Sequence, residues 1–278
     1  MKGSAGPLNR GATLIEMGVA LGIFSLLGVL LALSFTKSYE LWRRTSGGSD
    51  AQVSLRKVRN RITQDLSETS FTSVGKTDGP SSLGPFDGSA IWFLSAVNHT
   101  TGEFMRTSNG TPFWQNHVLY YAVVPENHAA LVGFDCTGGG VDGFEVQCPH
   151  KVVIRKVIDN GALTDPSDEG SAEIPFAQAD PKVGVAAIQS RYLTRPNGLD
   201  TSAMLLEDGV VGVSIVATNI LSFNVSLGKD PAKPREIEIE TAAVSLPSAQ
   251  KVIAIGQEVL KGTVHESRVI IRAHPRIR

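Results

Sequence analysis

From Met17 to Phe35 the chain runs nineteen residues without a charge. Such a run predicts a helix of about 28 Å at ~1.5 Å per residue, close to the ~30 Å hydrocarbon thickness of a bilayer. One carboxylate, Glu16, stands near its beginning. Further on, Ala51, Leu55, Val58, Ile62 and Leu66 step by four, three, four and four residues, the period of a helix with one apolar face. Ser49 or Asp50 reads as the cap of this second segment, and Gly47-Gly48 as a kink or interruption before it. Near residue 70 the pattern changes to short runs of Val, Ile, Tyr and Phe punctuated by NG and DG dipeptides. Strands are predicted over 90–97, 117–124, 150–158, 210–218, 220–227, 235–246 and 268–274, with a loop over 76–88 and a short helix over 248–262 that closes at Gly262. Glu236, Glu238 and Glu240 alternate with Ile237 and Ile239 and are expected to face water. The fold class that follows is α+β: a long amino-terminal helix whose second half packs on a mainly antiparallel sheet.

Composition changes this picture little. With 42% apolar residues, 19% charged residues and a net charge of -1, the chain can bury a core and offers no global electrostatic case for nucleic acid. Arg56, Lys57, Arg59 and Arg61 read as the solvated face of the amphipathic helix. The apolar run is longer than a secretory h-region of ~7 to 15 residues and passes into KSYELWRR without a small-residue cleavage site, so a permanent anchor is the better reading. Tyr39 and Trp42, followed by Arg43 and Arg44, suit the point where a helix leaves the bilayer. Lys2 and Arg10 on one side nearly balance Lys37, Arg43 and Arg44 on the other, so charge alone does not orient the span.

Ahead of the anchor lies MKGSAGPLNRG, a basic Gly/Pro-containing leader without a helical pattern. Gly11 followed by Ala12-Thr13-Leu14-Ile15-Glu16 resembles the class III leader and mature start of type IV prepilins and type II secretion pseudopilins. The resemblance implies cleavage after Gly11 and N-methylation of Ala12 by a prepilin peptidase/methyltransferase. It makes Glu16 the fifth residue of the mature chain and assigns it to subunit assembly, with its carboxylate meeting the amino terminus of a neighbouring subunit. Ala12 departs from the Phe or Met usual at that position. The competing physical reading is that Glu16 snorkels or caps the helix start, where an acid complements the dipole. The order of QDLSETS, IWFLSA, VLYYAVV, RYLTRPNG and LLEDGVVGVSI is loosely similar to larger minor subunits, the J-type pseudopilin and PilW-like minor pilins.

Cys136 and Cys148 are twelve residues apart in the part that the resemblance places outside the cytoplasm. A disulfide suits an oxidising compartment and would be worth on the order of 3 kcal/mol by loop closure; two free thiols are the alternative. Gly138, Gly140 and Gly143 match GxGxxG by letter, but a following strand rather than a helix makes this a hairpin turn. His99, His117, His128, His150, His265 and His274 show no ligand spacing, and neither a GxSxG elbow nor a phosphate loop is present. Asp165, Asp168 and Glu169 cluster in TDPSDEG and are weak calcium candidates, by resemblance to loops of some secretion pseudopilins that bind calcium. Without the alternating ligands of an EF-hand, a solvated loop is the better reading, and no metal or other cofactor is expected.

The expected organisation is a leader over 1–11, a transmembrane and assembly helix over 12–36, its amphipathic continuation over 37–68 and an extracytoplasmic β-rich domain over 69–278. The expected function is structural, not enzymatic: a minor pilin or pseudopilin anchored in the inner membrane, facing the periplasm and entering a filament or its tip. The partners this implies are the peptidase, other pilin-like subunits, an inner-membrane assembly platform and the lipid bilayer. The alternative is an extracytoplasmic enzyme or ligand-binding domain that uses the helix only as a tether.

Overall fold

The structure, a computed structural model, describes residues 13–78, 89–132, 148, 150–159, 164–165, 167–176, 188, 191–245 and 265–273. The 54-residue helix α1 (Leu14–Ser67) is followed by a 3-10 turn (Phe71–Ser73) and seven strands. These are β1 (Gly75–Asp78), β2 (Ser89–Ser95), β3 (Asn116–Val123), β4 (Lys151–Ile158), β5 (Val210–Leu227), β6 (Ile237–Ser245) and β7 (His265–Ala273). A short helix, α2 (His128–Val132), lies between β3 and β4. All seven strands form one antiparallel sheet in sequence order, so each strand pairs with its neighbour in the chain.

Compact packing divides the chain into Met1–Ser46 and Gly47–Arg278. In the first unit every residue described from 13 to 42 is exposed, including Leu14, Phe24 and Phe35. Leu14–Trp42 is long and apolar enough to cross a membrane. The second unit holds the sheet and the periodic part of α1. Ala51, Leu55, Val58, Ile62 and Leu66 are all buried, in one core with Ile91, Phe93, Val118, Tyr120, Ala122 and Phe223 of the sheet. Arg56, Lys57, Arg59 and Arg61 lie on the opposite, exposed face, as the 3.6-residue period requires.

The other side chains of the same strands build a second core. Ala90, Trp92, Leu119, Tyr121 and Val123 pack with Phe176, Tyr192, Leu193 and Met204 from the segments that cover this face. Burial on both faces explains why β2 and β3 read as nearly continuous apolar runs and are buried at every position.

Several local expectations are corrected. Ser49 and Asp50 are not caps, because α1 continues through Gly47-Gly48 and both lie inside it. Residues 76–78, expected in a loop, belong to β1, which pairs with Ala90 and Ile91 of β2. The two strands predicted over 210–218 and 220–227 are one strand, β5. The punctuation between them is Asn219, at φ 58, beside a register shift against β6. Asn tolerates the left-handed region, so the chain bulges there without leaving the sheet. Glu236, expected to face water, is buried at 7% exposure, while Glu238 and Glu240 are half-buried. Cations flank the first two: Arg272 of β7 reaches Glu238 at 3.2 Å and Glu236 at 3.7 Å, and Lys233 lies 3.7 Å from Glu236. The helix expected over 248–262 lies outside the described residues.

A glycine is required where the chain enters β5. Gly209 has φ +77, and a Cβ there would stand 2.6 Å from the carbonyl oxygen of Asp159. That close approach lets Asp159 donate its N–H to the Gly209 carbonyl at 2.8 Å.

Candidate functional site

The anchor segment begins with a reciprocal cap. The Thr13 N–H donates to Glu16 Oε2 at 2.8 Å, and the Glu16 N–H donates to Thr13 Oγ1 at 3.3 Å. This is a capping box: a Thr followed three residues later by Glu satisfies two amides that the first turn leaves without helical acceptors. Glu16 therefore has a partner within its own turn, which gives substance to the capping reading of that residue. Gly11 and Ala12, the expected cleavage and methylation positions, lie outside the described residues.

Near the other end of the apolar segment, Tyr39 and Trp42 stack with ring centroids 6.3 Å apart, and Lys37 pairs with Glu40 at 3.4 Å. Thr36 hides its hydroxyl by donating to the Ala32 carbonyl at 2.6 Å, a bond that lets a hydroxyl sit within an apolar helix.

Of the two cysteines, Cys148 is fully buried and disulfide-bonded. Cys136 lies outside the described residues, as do Gly138, Gly140 and Gly143.

The carboxylates of the acidic loop are taken up by backbone amides, two within the loop and one from a distant turn. Asp165 Oδ1 accepts from the Ser167 N–H at 2.8 Å and the Ser167 hydroxyl at 2.7 Å. Asp168 Oδ1 accepts from the Gly170 N–H at 2.9 Å and caps the short 3-10 turn Glu169–Ser171. Glu169 Oε1 accepts from the Ser108 N–H. These backbone bonds hold the Asp165 and Glu169 carboxyls below their ordinary pKa. Among the described residues the three acids do not converge as a group of metal-ligating oxygens.

A different cluster does converge. His128 at the start of α2, Cys148, and His150 just before β4 offer ligand atoms that all lie within 4.8 Å of one another. The two imidazole rings are 6.1 Å apart, and Cys148 Sγ is 3.9 Å from His150 Nδ1. His128 and Cys148 are buried and His150 is half-buried. Burial, with a smaller contribution from the neighbouring His128, pushes His150 down to about 4, so its imidazole is neutral at ordinary pH.

The linear spacing of the histidines gave no sign of this convergence. The usable signal was topological: His128 follows the strand predicted over 117–124, and His150 opens the next, predicted over 150–158. Antiparallel pairing of β3 with β4, with Val123 opposite Val152, places both flanks at one end of the sheet.

Compared with protein-family models, with curated proteins and with solved structures, the chain finds no match.

Proposed function

We propose that the chain is a structural subunit of a pilus-like or secretion filament, a minor pilin or pseudopilin. It is held in the inner membrane until assembly, with its β-rich unit on the periplasmic side. The observation that carries this reading is the division of labour within α1. Residues 14–35 are exposed and, apart from Glu16, Ser25 and Ser34, apolar, whereas residues 51–66 bury an apolar stripe against an antiparallel sheet. A helix that served only as a tether would not need its continuation built into the core of the folded unit. A subunit that transmits load between a helical bundle and its globular part has that need. The leader ending in Gly11 and the TLIE sequence after Ala12 support the same reading by resemblance.

In this mechanism the work is assembly. The helix leaves lipid for a bundle of similar helices, where apolar surface and shape drive packing, and Glu16 meets the amino terminus of a neighbour. Mass spectrometry of the protein isolated from its native membrane tests the reading. The expected amino terminus is N-methylated Ala12; an intact Met1, or a cut after residue 35, overturns the proposal.

A further inference from the structure

We propose that His128, Cys148 and His150 form a binding site for a borderline transition-metal cation of the Zn2+ class, open only when the disulfide at Cys148 is reduced. Two imidazoles and one thiolate are the ligand types that select such a cation over Ca2+ or Mg2+, which take oxygen donors. In a tetrahedral site with Zn–N near ~2.0 Å and Zn–S near ~2.3 Å, donor atoms stand about 3.3 to 3.5 Å apart. The three donors here already lie within 4.8 Å of one another, so small side-chain rotations close the site. His150 is the half-buried member and has the most room to move.

The fold supplies this convergence without help from the metal. Antiparallel pairing of β3 and β4 brings the segment after one strand and the segment before the other to one end of the sheet. Three protein donors leave the fourth tetrahedral position to water.

Metal and disulfide compete for one sulfur. As half of a disulfide, Cys148 has no thiolate to offer. A dithiol reductant passes two electrons to the S–S bond, leaving a thiol on each sulfur and closing its own disulfide. Cys148 then loses its proton to solvent as the sulfur bonds the cation. By linkage, a cation present at a hundredfold excess over its Kd shifts the dithiol/disulfide balance about a hundredfold toward the reduced form, or about 60 mV for a two-electron couple. An oxidising compartment keeps the site shut, and a reducing one opens it.

Co2+ titration of the tag-free full chain in detergent tests this. After phosphine reduction, one equivalent of Co2+ is expected to give a thiolate-to-cobalt charge-transfer band with the strong visible bands of tetrahedral Co2+, and Zn2+ should displace it. His150→Gln is expected to weaken binding at least tenfold. Cys136→Ser removes the chain's other cysteine and is expected to bind Co2+ without any reductant. Circular dichroism follows the fold in each case. The proposal is overturned if the reduced chain shows no such band or loses its fold. It is equally overturned if His150→Gln binds as tightly, or if the oxidised wild type binds as well as the reduced one.

Discussion

Arg155 of β4 donates its Nε to Asp65 Oδ2 of α1 across 2.6 Å, and the same oxygen accepts the Tyr120 hydroxyl of β3 at 2.5 Å. Asp65 lies between the core positions Ile62 and Leu66, so one carboxylate joins the buried stripe of the helix to two adjacent strands. The Arg155 and Asp65 side chains are only 15% and 11% exposed, and burial raises the Tyr120 hydroxyl well above its ordinary pKa, keeping it a donor. Asp65→Ala leaves a guanidinium and a phenol without their acceptor, and breaking such a largely buried pair costs about 3 kcal/mol. Asp65→Asn keeps an acceptor and should cost less. Urea unfolding of the detergent-solubilised chain measures both. A loss under ~0.5 kcal/mol for the alanine variant would class the pair with exposed surface bridges.

Lys156 carries the second electrostatic commitment. Its fully buried ammonium donates to Glu207 at 2.6 and 2.8 Å and to Thr194 Oγ1 at 2.8 Å. Desolvation outweighs these bonds and pushes Lys156 down to about 8. Below that pH the lysine is protonated in both the folded and unfolded chain. Between about 8 and the ordinary lysine value near ~10.4 the unfolded chain holds more protons, so the Lys156 contribution to stability rises with pH. Tyr120 and Tyr121, both raised by burial, act oppositely above about 10, because there the folded chain holds more protons. Wild type should therefore gain stability relative to Lys156→Met from pH 8 to 10. A stability difference that stays flat across that window contradicts the assignment.

His117 gives the acid-side counterpart. It is fully buried on β3 and stacks on Phe176 with centroids 3.7 Å apart, and among the described residues neither ring nitrogen has a hydrogen-bond partner. Glu173 Oε2 approaches Nδ1 to 3.5 Å, yet burial dominates and pushes His117 down to about 3. The unfolded imidazole takes up a proton near pH ~6.5 while the folded one does not, so stability is present above 6.5 and is lost as the pH falls toward 3, by at most about 1.4 kcal/mol per unit. His117→Phe keeps the stacked ring and removes the titrating group. Its stability should decline less steeply than wild type between pH 6.5 and 4, as measured by denaturant midpoints at each pH. Equal slopes would place the acid sensitivity elsewhere.

The sequence disclosed these elements unevenly, for physical reasons. The spacing of Ala51, Leu55, Val58, Ile62 and Leu66 revealed the buried face of α1 because a helix period is local. Six of the seven strands were visible for the same reason. β1 was not, because Lys76, Thr77 and Asp78 carry no apolar pattern and become a strand only through pairing with β2. The burial of Glu236 depends on Arg272, thirty-six residues away in sequence, and the clamp at Asp65 depends on Arg155, ninety residues away. The cluster of His128, Cys148 and His150 needs the register of β3 on β4. Pattern along the chain reveals which face is buried; contacts set by pairing become visible only once register is known.

Glu16 now has two candidate roles that a single substitution separates. Within its own turn it accepts the Thr13 N–H, and Gln at the same capping-box position makes an equivalent bond without charge. If capping is its whole role, Glu16→Gln behaves as wild type, while Thr13→Ala and Glu16→Ala each weaken the helix start. The assembly role needs the charge itself. An ionised carboxylate costs ~2.5 to 3.5 kcal/mol at the centre of a membrane helix and less near its end, a cost offset when it meets the ammonium of a neighbouring subunit. On that account Glu16→Gln and Glu16→Ala both impair incorporation, Thr13→Ala does so little, and the folded unit beyond Gly47 is unaffected in all three. Incorporation into purified filaments or tip complexes, normalised to the amount in the membrane, distinguishes the two. Wild-type incorporation of Glu16→Gln would leave Glu16 with the cap alone.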